Sequence, residues 1–83
     1  MNDIINKSKE ISLLDSENNE EVIRYNIDYS VILEQGLPVS ISYRSIVRTE
    51  FRDGEDRVDN IRDEEAPYFM LKNLENEELM GWV

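Results

Sequence analysis

Carboxylates are the groups with which this chain could do chemistry, since it carries 19 Asp and Glu residues and neither His nor Cys. The missing histidine removes the commonest general base and metal ligand. The missing cysteine removes thiolate ligation, Cys-His nucleophiles and any disulfide framework. Paired acids alone can cleave glycosides, but only if one of them is kept protonated by its surroundings. The acids here stand in polar turns beside arginines, as in Arg52-Asp53-Gly54-Glu55-Asp56-Arg57, where solvation keeps them ionised. The expectation is a protein that is not an enzyme and needs no cofactor.

A run of acids also invites a hard cation. An EF-hand loop started at Asp53 would put Arg57 at a ligand position and Val58 where the turn glycine is required. No metal site is expected, and the chain has no Gly-rich phosphate loop, dinucleotide fingerprint or GxSxG elbow.

How charge is distributed is more informative. Between Val22 and Thr49 the acids Asp28 and Glu34 nearly balance Arg24, Arg44 and Arg48. From residue 50 to 65 eight acids face only Arg52, Arg57 and Arg62, and further acids stand in 15–21 and 75–78. The formal net charge of −10 disfavours direct binding to nucleic acid or to an anionic membrane and points to a basic protein surface. Solubility alone explains some acid in turns. The concentration in 50–65 marks Asp53, Glu55, Asp56, Asp59, Asp63, Glu64 and Glu65 as candidate partner-binding residues. A second constellation, Arg24, Arg44 and Arg48 with Ser40 and Ser42 beside them, is a candidate anion-binding strip, although Asp28 and Glu50 can neutralise much of it.

These residues need elements to hold them. Ile23, Tyr25, Ile27, Tyr29, Val31 and Leu33 alternate with polar residues, and so do Val39, Ile41, Tyr43, Val47 and Phe51. Both patterns have the strand period of two. The intervening Glu34-Gln35-Gly36-Leu37-Pro38 suits a five-residue hairpin loop. Closing it symmetrically sets Tyr29 opposite Tyr43, Tyr25 opposite Val47, Asp28 opposite Arg44 and Arg24 opposite Arg48. Residues 52–67 read mostly as loop, with a weak strand or turn at Val58 and Ile61. The apolar runs Tyr68-Phe69-Met70-Leu71 and Leu79-Met80-Gly81-Trp82-Val83 read as a second, shorter hairpin, with Tyr68, Phe69 and Trp82 in the core. Residues 2–10 read as a short helix, followed by a short strand from Glu10 to Leu14. The fold expected is α+β leaning all-β: an antiparallel sheet of 4–6 strands built on the hairpin at 21–51, with one short N-terminal helix, in a single domain over 1–83.

With 40% hydrophobic residues the chain has enough apolar material to fold. It shows no apolar stretch of spanning length and no secretory leader, so a cytoplasmic setting is expected, that of the host cell if the protein is phage-encoded.

The run Ile46-Val47-Arg48-Thr49-Glu50-Phe51, then acids, then Glu65-Ala66-Pro67-Tyr68, resembles the order of strand, acidic turn and Ala-Pro strand entry in uracil-DNA glycosylase inhibitors. In size, acidity and lack of cysteine the chain also resembles several anti-CRISPR proteins. The Glu-Ser segment that the glycosylase inhibitors insert at the enzyme's DNA cleft has no counterpart here beyond Asp15-Ser16, so the resemblance implies a style of function and no residue roles. That style is DNA mimicry: an inhibitor encoded by a phage or mobile element that fills the basic groove of a host defence protein, nuclease or other nucleic-acid-binding protein. The alternatives are a small accessory or self-assembling β protein that pairs through a strand edge, as a homodimer for example, and an anion or nucleotide sponge.

Overall fold

Period-two alternation continues from the long hairpin back into the amino-terminal segment, where Ile5, Lys7, Lys9 and Ile11 are half-buried and Ile4, Asn6, Ser8 and Glu10 are exposed. The computed structural model, which describes residues 2–80, accordingly has four strands: β1 (Asn2–Leu14), β2 (Glu21–Glu34), β3 (Leu37–Glu50) and β4 (Arg57–Ile61). A 3-10 turn at Asp63–Glu65 leads to one helix, α1 (Tyr68–Met80). The strands form an antiparallel meander in the order β1-β2-β3-β4. This agrees with the expected sheet-dominated class, its strand range and its central hairpin.

Three expectations are corrected. The amino-terminal helix is absent, because residues 2–10 are the first part of β1, paired with β2 from Asn2↔Glu34 to Leu14↔Glu21. The pairing supplies cross-strand partners that a nine-residue helix would lack. The carboxyl-terminal hairpin is replaced by α1. Tyr68-Phe69-Met70-Leu71 is too short a run to separate strand from helix by period. Pro67, which gives up no helical hydrogen bond at that position, accepts from the amides of Met70 and Leu71 at 3.1 and 3.4 Å and starts the helix. Strong helix formers follow, and Leu71, Leu74 and Glu78 fall on the buried face. Tyr68 and Phe69 point away from it and are 71% and 79% exposed, so they are not core; Trp82 lies outside the described residues.

The third correction is the register. The β2–β3 loop is a two-residue turn at Gln35 and Gly36, with φ 54° and 80°, which places both in the left-handed region of a type I′ hairpin turn. An extra residue of β3 at Val39, between Leu33↔Pro38 and Ile32↔Ser40, restores the pairing of Tyr29 with Tyr43, and a second extra residue at Arg44 then sets Asp28 opposite Ser45, Tyr25 opposite Arg48 and Arg24 opposite Thr49. The second bulge moves the apolar position from Val47 to Ile46, which is 2% exposed.

The core lies on one face of the sheet. Tyr25, Ile27, Tyr29, Val31 and Leu33 of β2 and Ile46 of β3 pack beneath Leu71 and Leu74 of α1. The opposite face is polar and is knitted across strands, with Ser8 Oγ donating to Asp28 Oδ1 at 2.6 Å and Ser30 Oγ to Asn6 Oδ1 at 2.7 Å. Polar tethers fix α1 to the sheet. Lys7 Nζ and Lys9 Nζ each lie 2.8 Å from a carboxylate oxygen, of Glu78 and Glu77 respectively, and the Tyr29 and Tyr43 hydroxyls donate to Glu78 and Glu75 at 3.2 and 3.0 Å.

Candidate functional site

The seven nominated acids do not form one row. Asp53, Glu55 and Asp56 stand exposed on the β3–β4 turn, where Gly54 takes φ 81° and the Glu55 amide donates to the Arg52 carbonyl at 3.2 Å. Asp59 lies within β4, half-buried, bonded to Arg57 Nε at 3.0 Å and paired across the strands with Arg48. Asp63, Glu64 and Glu65 form the 3-10 turn at the far end of β4. A five-residue strand separates the two groups by about 16 Å. Arg62 engages Glu64 at 3.2 Å and Glu65 at 3.7 Å. Among the described residues, Asp53, Glu55, Asp56 and Asp63 are the nominated acids without a salt bridge. No group of acids among the described residues is arranged to hold a metal ion.

The three arginines of the anion strip are not brought together either. Arg24 lies on the polar face between Glu21 and Glu10, at 3.2 and 3.5 Å from Nε, with its guanidinium 5.1 Å from the Phe51 ring centroid. Its pKa is raised by the hydrogen bond to Glu21 first, while that bond holds the Glu21 carboxyl below the usual range. Arg48 lies on the core face, 3.0 Å from Glu50, and its pKa is raised by hydrogen bonding with Tyr25 and then Glu50. Arg44, set out by the bulge, reaches back to donate to the carbonyls of Tyr29 and Lys7 at 3.3 and 3.4 Å. Each guanidinium is occupied where it stands. Ser40 and Ser42 share the polar face, away from Arg48.

What the charge pattern concealed is the perimeter of the sheet. Among the described residues, β1 has no neighbour on its outer side, and β4 pairs with β3 only from Ile46↔Ile61 to Glu50↔Arg57. The outer side of β3 over residues 37–45 is therefore also unpaired. A cleft of about 870 Å³ runs along it, bounded by Ile41, Tyr43 and Arg44 on one side and Ile61, Asp63 and Glu75 on the other. Burial pushes the pKa of the Tyr43 hydroxyl up, and the carboxylates of Glu75 and Asp63 add to this. On the opposite flank, an apolar groove of about 360 Å³ lies between Ile11 and Leu13 of β1 and Phe69, Met70 and Leu74 of α1. The perimeter was not legible in the sequence, because Lys7 and Lys9 share the inward face of residues 2–14 with Ile5 and Ile11 and break the apolar alternation that marks a strand.

No helix among the described residues is long and apolar enough to cross a membrane. No family model, curated protein or solved structure matches the chain.

Proposed function

We propose that this chain is a small acidic binding protein, not an enzyme, that holds a basic partner protein by adding one of the partner's extended segments to an edge of its sheet. The observation that carries this reading is the unpaired perimeter of the meander. Free main-chain donors and acceptors along a strand edge are a template for another strand, and proteins that do not use such edges usually shorten, charge or cover them. The net charge of −10 selects a basic partner and speeds its approach. A copy of the same chain is the alternative occupant of an edge, in which case the protein is a homodimer or a larger assembly.

One observation favours a second reading. The unpaired, exposed carboxylates of Asp53, Glu55 and Asp56 crowd one tight turn, which suits a mimic of the nucleic-acid backbone inside the basic groove of a nuclease or another DNA-processing protein, in the manner of a phage-encoded anti-CRISPR or glycosylase inhibitor. The two readings separate by experiment. Partners are isolated by affinity capture, and their binding is measured with the wild-type chain and with a variant carrying Asn or Gln at 53, 55, 56, 59, 63, 64 and 65. Strand addition expects a loss below about tenfold and a shallow salt dependence. Mimicry expects a loss of about a hundredfold or more and a steep one. Partners retained at full affinity by the amide variant at every salt concentration would remove the mimic reading, and partners lost entirely would remove strand addition.

A further inference from the structure

The two edges of the sheet that are unpaired among the described residues differ in chemistry. The edge strand β1 carries Asp3, Lys7, Lys9 and Glu10, charges of the kind that keep an edge from pairing. Residues 37–43 of β3, Leu-Pro-Val-Ser-Ile-Ser-Tyr, carry none. Leu37 and Val39 are 62% and 46% exposed there. The nearest cation, Arg44, lines the end of the cleft and donates to the Tyr29 and Lys7 carbonyls. Pro38 lacks an amide donor and Val39 and Arg44 are bulged residues, so the regular part of the strip is Ser40 to Tyr43.

The strip also has a specific lining. Ile41 and Tyr43 face the helix side, whereas Ser40 and Ser42 face the polar side. Beneath Tyr43 lie Glu75, which accepts from its hydroxyl at 3.0 Å, and Asp63, which acts on the same hydroxyl electrostatically. The cation on that wall, Arg62, is already engaged by Glu64 and Glu65. An incoming strand would place alternate side chains on the helix side, one against Ile41 and the next, two residues on, toward Tyr43, Asp63 and Glu75. The first is satisfied by an apolar side chain and the second by Lys or Arg.

We infer that the outer edge of β3 over residues 37–44, with the cleft below it, is the docking strip for an extended peptide segment of another protein that carries an apolar and a basic residue two positions apart. This rests on the strand-addition reading and chooses the edge and the chemistry.

The probe is a blocked nonapeptide, Thr-Val-Thr-Lys-Thr-Val-Thr-Lys-Thr, and the readouts are amide hydrogen exchange and binding affinity on the full chain. The expected result is slowed exchange confined to residues 37–44. Binding should weaken about tenfold in Val39→Lys/Ser42→Lys, whose substituted positions are solvent-accessible, and should be unchanged in Ile4→Lys on the other edge. A matching peptide with Glu for Lys should bind at least about tenfold more weakly. Protection along β1 instead would overturn the choice of edge and leave strand addition standing. Protection on neither edge, together with no binding, would overturn both. Equal binding of the Glu peptide would overturn the basic specificity. Protection of 37–44 that rises with protein concentration in the absence of peptide would identify a second copy as the occupant and overturn the peptide assignment.

Discussion

Replacing Lys7 by Met tests how the helix is held to the sheet. The ammonium lies 2.8 Å from Glu78 Oε2, and the two side chains are 36% and 8% exposed. Met keeps most of the aliphatic packing and removes only the charge, leaving a buried carboxylate with the Tyr29 hydroxyl, 3.2 Å away, as its remaining tether to the sheet. Breaking a fully buried pair costs about 3–5 kcal/mol and an exposed one about 0–1. Because Lys7 is about a third exposed, the expected loss is about 1–2 kcal/mol. With a urea slope of about 1 kcal/mol/M for a chain this short, the midpoint should fall by about 1–2 M. Glu78→Gln should cost less than about 1 kcal/mol, since its amide oxygen still accepts from the Tyr29 hydroxyl and no buried charge is left unpaired. The double variant should be no worse than Lys7→Met alone, because no buried charge is left to strand. The assay is urea unfolding followed by circular dichroism for all four proteins. If Lys7→Met lies within about 0.3 kcal/mol of wild type, or if the single losses simply add, the pair is solvated surface and the reasoning fails.

The alkaline limit should be set by buried tyrosines. Burial, and then the Glu78 carboxylate, push Tyr29 up to about 12, above its unfolded value near 10, so its contribution of about 2–3 kcal/mol is complete below pH 10 and is lost as pH rises through 12. Titration of tyrosinate absorbance alongside circular dichroism should show ionisation and unfolding together, and Tyr29→Phe should flatten that limb. Leu74, 2% exposed beneath the helix, should cost about 2–5 kcal/mol as Ala, enough to leave a small domain largely unfolded in a thermal melt at 37 °C. Gly36→Ala at φ 80° should lower stability by about 1 kcal/mol, although nothing lies within 4 Å of the added methyl. A neutral result in the melt would mean that the turn readjusts.

The central hairpin could be read from residues 21–51 because its alternation is long and one-sided. The second bulge could not, since no residue type at Arg44 or Ser45 announces an extra position, and every pairing beyond it shifts by one. The amino-terminal strand was obscured by Lys7 and Lys9, which occupy inward positions that would ordinarily be apolar. They are tolerated there only because α1 brings Glu77 and Glu78 to meet them, a match between distant parts of the chain that no local window contains. The acids at 53–56 and 63–65 do stand in connections, but Glu50, Asp59 and the acids of 75–78 fall in β3, β4 and α1, and the pairing with Arg57 and Arg62 depends on where β4 begins and ends. The unpaired edge of β3 depends on the same thing.

The tie between Lys7 and Glu78 spans 71 positions, joining β1 to the helix that follows the sheet. During synthesis, β1, β2 and β3 can pair with their sequential neighbours as they leave the ribosome. The apolar face bearing Tyr25, Ile27, Tyr29 and Val31 stays bare until α1 has emerged. A chain interrupted after β4 would carry a paired sheet with nothing over its apolar face, so α1 is the element that separates a nascent sheet prone to aggregate through that face from a molecule in which the face is covered.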